Sequence, residues 1–383
     1  MCVPVRCTGE FYIIGENTLV NAHILLKKVR STMKVARFYE PYKLVLEDID
    51  VPAIGENEML LKVKATAVCG TDLRIYKFGH FKIPQGTKRV LGHEISGEIV
   101  QVGSAVKGYH RGMRVVVVPN IGCGTCAMCM KGQNQLCPDY DAFGISLDGG
   151  FQEYMRITEE AILRGNILSI PENLTYEEAA LVEPFSCVYS SYRLLHIGPG
   201  DTVLIIGAGP IGACHVMMSK LAGASKIIVA DISDSRLAQV KDFGVDVLIN
   251  SAVEDLQTRV LEETDGVGMD VVVTANSVPE IQALSLELAA SRGRICFFGG
   301  IPKEKEIVPL KTNLIHYKEL QVVATTGSSI SDFRQALHIA ASGKISLKEI
   351  ATGRFQLEDI HEAFEYAAAG TGMKACIVEG GGK

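Results

Sequence analysis

The fold is decided by residues 202–212, which read TVLIIGAGPIG. The first five residues form a branched, apolar run typical of a buried strand, and a helical pattern follows the glycines. Further strand-like segments near residues 226–230, 246–249, 270–274 and 294–298 alternate with helical segments as far as residue 324. Such alternation predicts an α/β fold with a doubly wound parallel sheet.

The glycines between this strand and this helix suit a bound dinucleotide. Gly207 permits a tight turn, Gly209 lets backbone amides approach a pyrophosphate, and Gly212 lets the helix pack close to the strand. The helix begins near Pro210 and Ile211, and its N-terminus adds a partial positive charge beneath the phosphates. We therefore predict a nicotinamide dinucleotide cofactor, the alternative being a packing turn that binds no cofactor.

The end of the next predicted strand indicates which dinucleotide is bound. Asp231 stands where a carboxylate accepts hydrogen bonds from the adenosine ribose hydroxyls. The same carboxylate repels a 2′-phosphate, which favours NAD over NADP. Arg236 points the other way, because a nearby arginine can accommodate that phosphate, although it can also stack on adenine.

Composition excludes several other classes of protein. The chain has 383 residues, enough for roughly two to three domains. Its 38 basic and 44 acidic residues leave a net charge of −6, which argues against a nucleic-acid-binding protein. The uncharged stretch from Thr202 to Ser219 contains the glycine turn, so we predict no membrane span there. The 11 cysteines include one cluster of four, which is typical of metal ligands in a reducing compartment, and we expect a cytoplasmic protein.

Residues 1–32 differ in pattern from the rest of the chain. They show no clear hydrophobic period and no metal-ligand spacing, so we predict an N-terminal extension without a role in the chemistry. From Met33 to Glu183 the pattern is rich in β-strands bounded by glycine and proline.

One loop has the spacing C-x2-C-x2-C-x7-C. Four thiolates close a tetrahedral site around zinc and leave no position for water, so we predict a structural zinc. An iron–sulfur cluster also takes four cysteines, but nothing else in the sequence indicates one-electron chemistry. The predicted ligands are Cys123, Cys126, Cys129 and Cys137.

A second metal site is predicted from scattered residues. One thiolate, one imidazole and one or two carboxylates suit a zinc that keeps a position open for water or substrate. Asp72 is a candidate to accept the other ring N–H of the histidine. The candidate ligands are Cys69, His93, Glu94 and Glu183.

These motifs resemble those of the zinc-containing medium-chain alcohol and polyol dehydrogenases. The most specific piece is Gly92-His93-Glu94-x2-Gly97-x5-Gly103-x2-Val106, and the resemblance extends from Met33 to the C-terminus. It implies a GroES-like β-barrel catalytic domain over 33–188 and 325–383, and a Rossmann NAD-binding domain over 189–324. It also implies a homodimer or homotetramer and a catalytic zinc in the cleft between the domains.

Within that family, the residues around the second zinc look most like those of the sorbitol dehydrogenase branch. There Cys69 and His93 are ligands, and one of Glu94 and Glu183 ligates directly while the other acts through water; which is which stays open. Zinc as a Lewis acid lowers the pKa of a bound alcohol, and Thr71 is the candidate to receive the proton. The reaction implied is hydride transfer from a secondary alcohol, such as a polyol or sugar alcohol, to NAD.

The sequence departs from the family at two places that bear on substrate. Arg74 stands where the family usually has a histidine that relays the proton, and arginine is no base at neutral pH. We predict that Arg74 faces the cofactor or an anionic group of the substrate, the alternative being a solvated surface arginine. An Arg-Tyr pair typical of sorbitol enzymes is absent from residues 322–329. Threonine dehydrogenase is one alternative, because such enzymes resemble this chain in the run Cys69-Gly70-Thr71-Asp72 and in Ile75-Tyr76, although Arg74 counts against it. Butanediol dehydrogenase and a redox-inactive protein that binds nucleotide and zinc are the others.

Overall fold

The computed structural model describes residues 32–380, together with the backbone of a short antiparallel strand pair, Val5–Cys7 (β1) and Glu10–Tyr12 (β2). Apart from this pair and Thr32, the predicted extension over 1–32 lies outside the described residues. None of the helices in the described part is long and apolar enough to cross a membrane.

The further strands are β3 Thr32–Glu40, β4 Lys43–Asp50, β5 Met59–Ala67, β6 Arg89–Val90, β7 Glu94–Val102, β8 Arg114–Val117, β9 Asn120–Ile121, β10 Asp141–Ala142, β11 Tyr154–Ile157, β12 Ile167–Ser169, β13 Thr202–Ile206, β14 Lys226–Asp231, β15 Val247–Asn250, β16 Met269–Thr274, β17 Ala289–Phe297, β18 Gln321–Ala324, β19 Gly353–Phe355 and β20 Ala375–Val378. The α-helices are α1 Gly70–Phe78, α2 Ala127–Met130, α3 Glu159–Arg164, α4 Tyr176–Ala180, α5 Val182–Leu195, α6 Pro210–Ala222, α7 Asp234–Val240, α8 Leu256–Glu262, α9 Pro279–Leu288, α10 Thr312–Tyr317, α11 Ile330–Ala341 and α12 Ile360–Ala369. Short 3-10 turns occur at Asn134–Leu136, Lys241–Phe243, Lys303–Lys305, Leu347–Ile350 and Leu357–Asp359.

The β-rich part of the chain builds a mostly antiparallel sheet. Its strands run in the order β12-β8-β7-β5-β20-β19, with β11 also paired to β5. The last strand, β20, returns from the C-terminal tail and pairs with β5. One face buries an apolar core that includes Met59, Ile95 and Met155. The C-terminal tail is thus part of this sheet.

The central part of the chain forms the second sheet. All its strands are parallel and lie in the order β15-β14-β13-β16-β17-β18. The strand before the glycine turn, β13, is central, and apolar clusters cover both faces of the sheet. This is a doubly wound sheet, and with the antiparallel sheet it confirms the predicted α/β fold class.

Several elements differ from the sequence-based expectation. Helices α1 and α5 were not predicted, because α1 is short and largely polar and α5 contains Pro184. Proline is compatible with the first turn of a helix, since the amide it lacks would have no partner there. Strand β17 begins at Ala289, five residues before the predicted start, with an irregular register opposite Val271.

His215 is a buried histidine on α6 that faces Phe298 edge-on at 4.9 Å. Its Nε2 has no hydrogen-bond partner among the described residues, and burial lowers its pKa to about 3. An unfolded histidine titrates near 6.5, so only the unfolded chain takes up this proton as the pH falls from 7 to 5. The stability contributed by neutral His215 is fully present above the unfolded-state pKa of about 6.5. It is lost progressively as the pH falls from there toward the folded-state pKa of about 3.

We expect His215→Leu to remove part of the acid sensitivity of folding. Between pH 7 and pH 5 the free energy of unfolding of the wild type should fall by about 2 kcal/mol more than that of the variant. Urea denaturation of both proteins at the two pH values measures the difference. Equal losses in the two proteins would contradict the assignment of His215.

Candidate active site

Three neighbouring strands bring the predicted catalytic ligands to one place. Ala67, the last residue of β5, pairs with Glu94 at the start of β7 and with Cys376 of β20. Cys69 follows β5 directly and caps the N-terminus of α1. Ligand atoms of Cys69, His93 and Glu94 all lie within 4.8 Å of one another. The register of the sheet therefore forms the cluster from residues far apart in the chain.

Asp72 braces this cluster through the backbone. Its Oδ2 accepts the N–H of Cys69 at 2.9 Å, and its Oδ1 accepts the N–H of Gly92 at 3.1 Å. The predicted hydrogen bond to the histidine ring is not formed: Asp72 Oδ1 lies 3.5 Å from His93 Nδ1, which has no hydrogen-bond partner among the described residues. Because one carboxylate accepts an amide from each segment, Asp72 holds the two ligand-bearing segments together.

A buried lysine pairs with Glu94 and was not predicted. Lys374 Nζ donates to Glu94 Oε1 at 2.5 Å and to the carbonyl of Val68 at 3.0 Å. Burial alone would lower the pKa of Lys374, but the negative charges of Glu94 and Cys69 outweigh it and raise that pKa. Lys374 immediately precedes β20, and a lone lysine there carries no sequence signal of a buried partner.

Glu183 lies beside the cluster and not within it. It sits in the first turn of α5 and is buried. Its carboxylate does not lie within 4.8 Å of all three ligand atoms of Cys69, His93 and Glu94. Burial raises the pKa of Glu183 to about 7, and the charge of Glu94 adds to that effect while His93 opposes it. Cys187, one turn along the helix, donates to Glu183 Oε1 at 3.9 Å. Cys187 is a second cleft residue that sequence reasoning missed.

The cluster fits a zinc ion. Glu94 Oε2 and His93 Nδ1 are buried without a hydrogen-bond partner in the described part of the chain. Burial would lower the pKa of His93, but the charges of Asp72 and Cys69 raise it well above its ordinary value. A raised histidine pKa indicates a negative electrostatic potential at the ring, and such a potential also favours a bound cation. Sulfur, nitrogen and carboxylate oxygen together are ligands that zinc takes in catalytic sites.

The four-cysteine loop forms a separate, closed cluster. The sulfur atoms of Cys123, Cys126, Cys129 and Cys137 lie within 4.8 Å of one another. Backbone amides donate to three of them: Cys126 N to Cys123 Sγ at 3.3 Å, Cys129 N to Cys126 Sγ at 3.4 Å, and Cys123 N to Cys137 Sγ at 3.4 Å. The backbone amide and hydroxyl of Thr125 help to lower the pKa of Cys123 to about 6. Such a set fits a tetrahedral zinc with four sulfur ligands.

The glycine turn joins β13 to α6. Gly207 has φ of +122°, and a Cβ on Gly212 would lie 1.9 Å from the carbonyl oxygen of Gly207. A Cβ on Gly209 would meet nothing within 4 Å, which leaves this side of the turn open. Pro210 and Ile211 begin α6 as predicted. The turn thus combines tight packing at one end with open backbone at the other.

The two residues predicted to contact adenosine lie beyond this turn. Asp231 Oδ2 accepts the N–H of Ala208 at 2.8 Å, and Oδ1 accepts that of Ser233 at 3.0 Å. A carboxylate has about four acceptor sites, so this arrangement leaves capacity for ribose hydroxyls. The guanidinium of Arg236 lies close to Gly370, where an added Cβ would come within 2.5 Å of it.

A cleft of about 1140 Å³ lies between the two sheets. Cys69, Thr71, His93 and Glu183 line it from the antiparallel side. Ile211, Ala275–Ser277 and Phe297–Ile301 line it from the side of the parallel sheet, and Ala324–Gly327 complete it. The other predicted cofactor residues are not part of its lining. Two of the three candidate metal ligands, Cys69 and His93, therefore face a cleft that the glycine-turn domain also lines.

Comparison with protein families identifies both halves of the chain. Residues 55–169 match the alcohol dehydrogenase GroES-like domain, and residues 210–342 match the zinc-binding dehydrogenase domain. The chain belongs to the zinc-dependent alcohol and polyol dehydrogenases. Members of this family act on alcohols with NAD or NADP.

Relatives of this zinc-dependent dehydrogenase differ in substrate. It is 35% identical over 338 residues to an L-threonine 3-dehydrogenase of Pyrococcus abyssi, covering 86% of this chain and 93% of the relative. It is 34% identical over 355 residues to a D-arabitol-phosphate dehydrogenase of Enterococcus avium, covering 92% and 97%. A zinc-binding dehydrogenase of Sinorhizobium meliloti 1021, solved with NADP, is similar with a TM-score of 0.83 and 29% identity, covering 91% and 100%.

Proposed function

We propose that this dehydrogenase oxidises a secondary alcohol of a polyol or sugar alcohol with NAD, using one catalytic and one structural zinc. The observation that carries the proposal is the cluster of Cys69, His93 and Glu94, of which Cys69 and His93 line the cleft. Within the described part of the chain, its buried atoms His93 Nδ1 and Glu94 Oε2 have no hydrogen-bond partner. When bound there, zinc acts as a Lewis acid that favours loss of the substrate hydroxyl proton. A bound nicotinamide would supply the hydride acceptor.

The residues of the chain position the substrate and move the proton. Cys69, His93 and Glu94 would hold the metal, and the buried Glu183 interacts electrostatically with His93 and Glu94. Thr71 lines the cleft two residues after Cys69 and receives the proton of the substrate hydroxyl. Arg74 lines the same cleft and does not relay that proton, because a guanidinium keeps its own. From Thr71 the proton would pass to water in the cleft.

The preference for NAD rests on Asp231. It is 8% exposed at the end of β14, where its charge meets the adenosine ribose and disfavours a 2′-phosphate. Arg236 is held near Gly370 and is the residue that would favour NADP, which the Sinorhizobium relative binds. A cytoplasmic location, expected from the clustered cysteines, and a homodimer or homotetramer, implied by the family resemblance, stay predictions.

Threonine dehydrogenase is the second candidate, because the Pyrococcus relative acts on threonine. Against it stands Arg74, since the histidine expected in such enzymes is absent. Butanediol dehydrogenase and a redox-inactive zinc protein are the further alternatives. An inactive protein has no need for Thr71 beside a complete ligand set in an open cleft.

Turnover with a substrate panel tests the proposed function. Zinc-loaded protein is mixed with sugar alcohols, butanediol or threonine, each with NAD and with NADP, and reduced cofactor is measured by its absorbance. We expect the highest kcat/KM with a polyol and NAD. Preference for threonine would establish the second candidate. No turnover with any substrate, in protein shown to bind both zinc and NAD, would favour the inactive alternative.

A further inference from the structure

The mouth of the cleft carries positive charge that the proposed chemistry does not use. Arg74 and Lys77 line the cleft from α1, and both side chains are exposed. Neither forms an ion pair with any residue that the structure describes. The acidic residues that line the same cleft are Glu183, buried beside the metal ligands, and Glu306, on the side of the nucleotide domain. The charges of Arg74 and Lys77 are therefore available to a ligand.

Helix α1 carries both cations on the side that also carries Thr71, the residue proposed to receive the substrate proton. Thr71, Arg74 and Lys77 are three residues apart on α1, so they share one face of the helix. The adjoining side of the helix buries Asp72 and Ile75. With a rise of about 1.5 Å per residue, Arg74 lies about 4.5 Å and Lys77 about 9 Å along the helix from Thr71. A chain of several carbons that starts at Thr71 can follow this face to both cations.

The pKa of a third basic side chain, His80, reflects the positive charges around it. His80 lines the cleft just after α1, and its Nδ1 accepts the backbone N–H of Lys82 at 3.1 Å. Burial lowers the pKa of His80, and the charges of Arg74 and Lys82 lower it further. A bound dianion would raise the pKa of His80 again and favour the protonated ring. The mouth of the cleft is thus electropositive, although the protein as a whole carries a net charge of −6.

We propose that Arg74 and Lys77 form a phosphate subsite and that the substrate is a polyol phosphate, with its phosphate at the end remote from the oxidised carbon. Two free cations match a dianionic phosphate better than a single carboxylate, and arginine binds phosphate oxygens in a bidentate manner. This inference rests on the proposed function and names its substrate class.

Matched pairs of substrates test the subsite. Five- and six-carbon sugar alcohols are assayed with NAD, each as the free polyol and as its terminal phosphate. In the wild type we expect kcat/KM to be about 100-fold higher for the phosphate, since two charge-assisted contacts are gained. In Arg74→Gln and Lys77→Gln that ratio should fall about tenfold each, mainly through KM. Lys107→Gln, which alters an exposed lysine outside the cleft lining, should keep the wild-type ratio.

Binding without turnover gives a second readout. Calorimetry should show inorganic phosphate binding to the zinc-loaded protein about tenfold more weakly after Arg74→Gln, and unchanged after Lys107→Gln. A wild-type ratio near one, with free polyols oxidised, would overturn the subsite and leave the proposed function standing. A raised KM for NAD with an unchanged ratio would assign both cations to the cofactor pyrophosphate and overturn the subsite. If neither form of any polyol is oxidised, the proposed function fails and this inference with it.

Discussion

Cys69→Ala should reduce kcat/KM by about 10⁴-fold or more while the fold persists. The thiol belongs to the cluster at the end of the cleft, and loss of one ligand from a three-residue set weakens the hold on the catalytic zinc. The Lewis acid is worth several kcal/mol to the reaction, so activity should disappear before stability does. Steady-state kinetics and thermal unfolding of the same preparation measure the two effects.

Cys187→Ala is the matched control for that substitution. Cys187 lines the same cleft and contacts Glu183, but it lies outside the metal cluster. We expect kcat/KM to fall by less than about tenfold. Comparable losses in the two variants would contradict the assignment of Cys69 as a ligand.

Cys126→Ala should have the opposite profile, a large loss of stability. The loop around α2 has few buried apolar contacts of its own, since none of the four residues of this helix is buried. A structural zinc supplies folding free energy directly, so removing one of its four ligands should lower the melting temperature by about 10 °C or more. Calorimetry with and without a chelator measures the melting temperatures. The chelator should lower the melting temperature of the wild type more than that of the variant.

Thr125→Ala is the control for the cysteine loop. Its hydroxyl lies 3.6 Å from Cys123 Sγ but offers no metal ligand, so we expect only a small change in melting temperature. If Cys126→Ala instead abolishes turnover while the melting temperature stays unchanged, the roles of the two metal sites have been divided wrongly.

The parts of the fold that follow local rules could be predicted from the sequence. The glycine turn after β13 depends on backbone geometry that a short motif encodes, and α6 begins where predicted. Helix α5 was missed because its residues give no clear amphipathic period and its first turn holds Pro184. Its packing against α11, through Arg193 and Asp332 at 2.6 Å, depends on residues 139 positions apart.

The candidate site shows the same division. Cys69, His93 and Glu94 could be singled out because their residue types and motif indicate metal ligands. Lys374 could not, since its pairing with Glu94 arises only when β20 returns to the edge of β5. The hydrogen bonds of Asp72 to two backbone amides were unexpected for a similar reason, because a carboxylate in a sequence does not reveal which donors surround it.

The most direct test of the central claim is the zinc content of the purified protein and of its Cys69→Ala variant. Elemental analysis should find two zinc ions per chain in the wild type and one in Cys69→Ala, the retained ion having four sulfur ligands by X-ray absorption. A single zinc per chain in the wild type, bound by four sulfurs and unaffected by Cys69→Ala, would contradict the assignment of a catalytic zinc to the cleft.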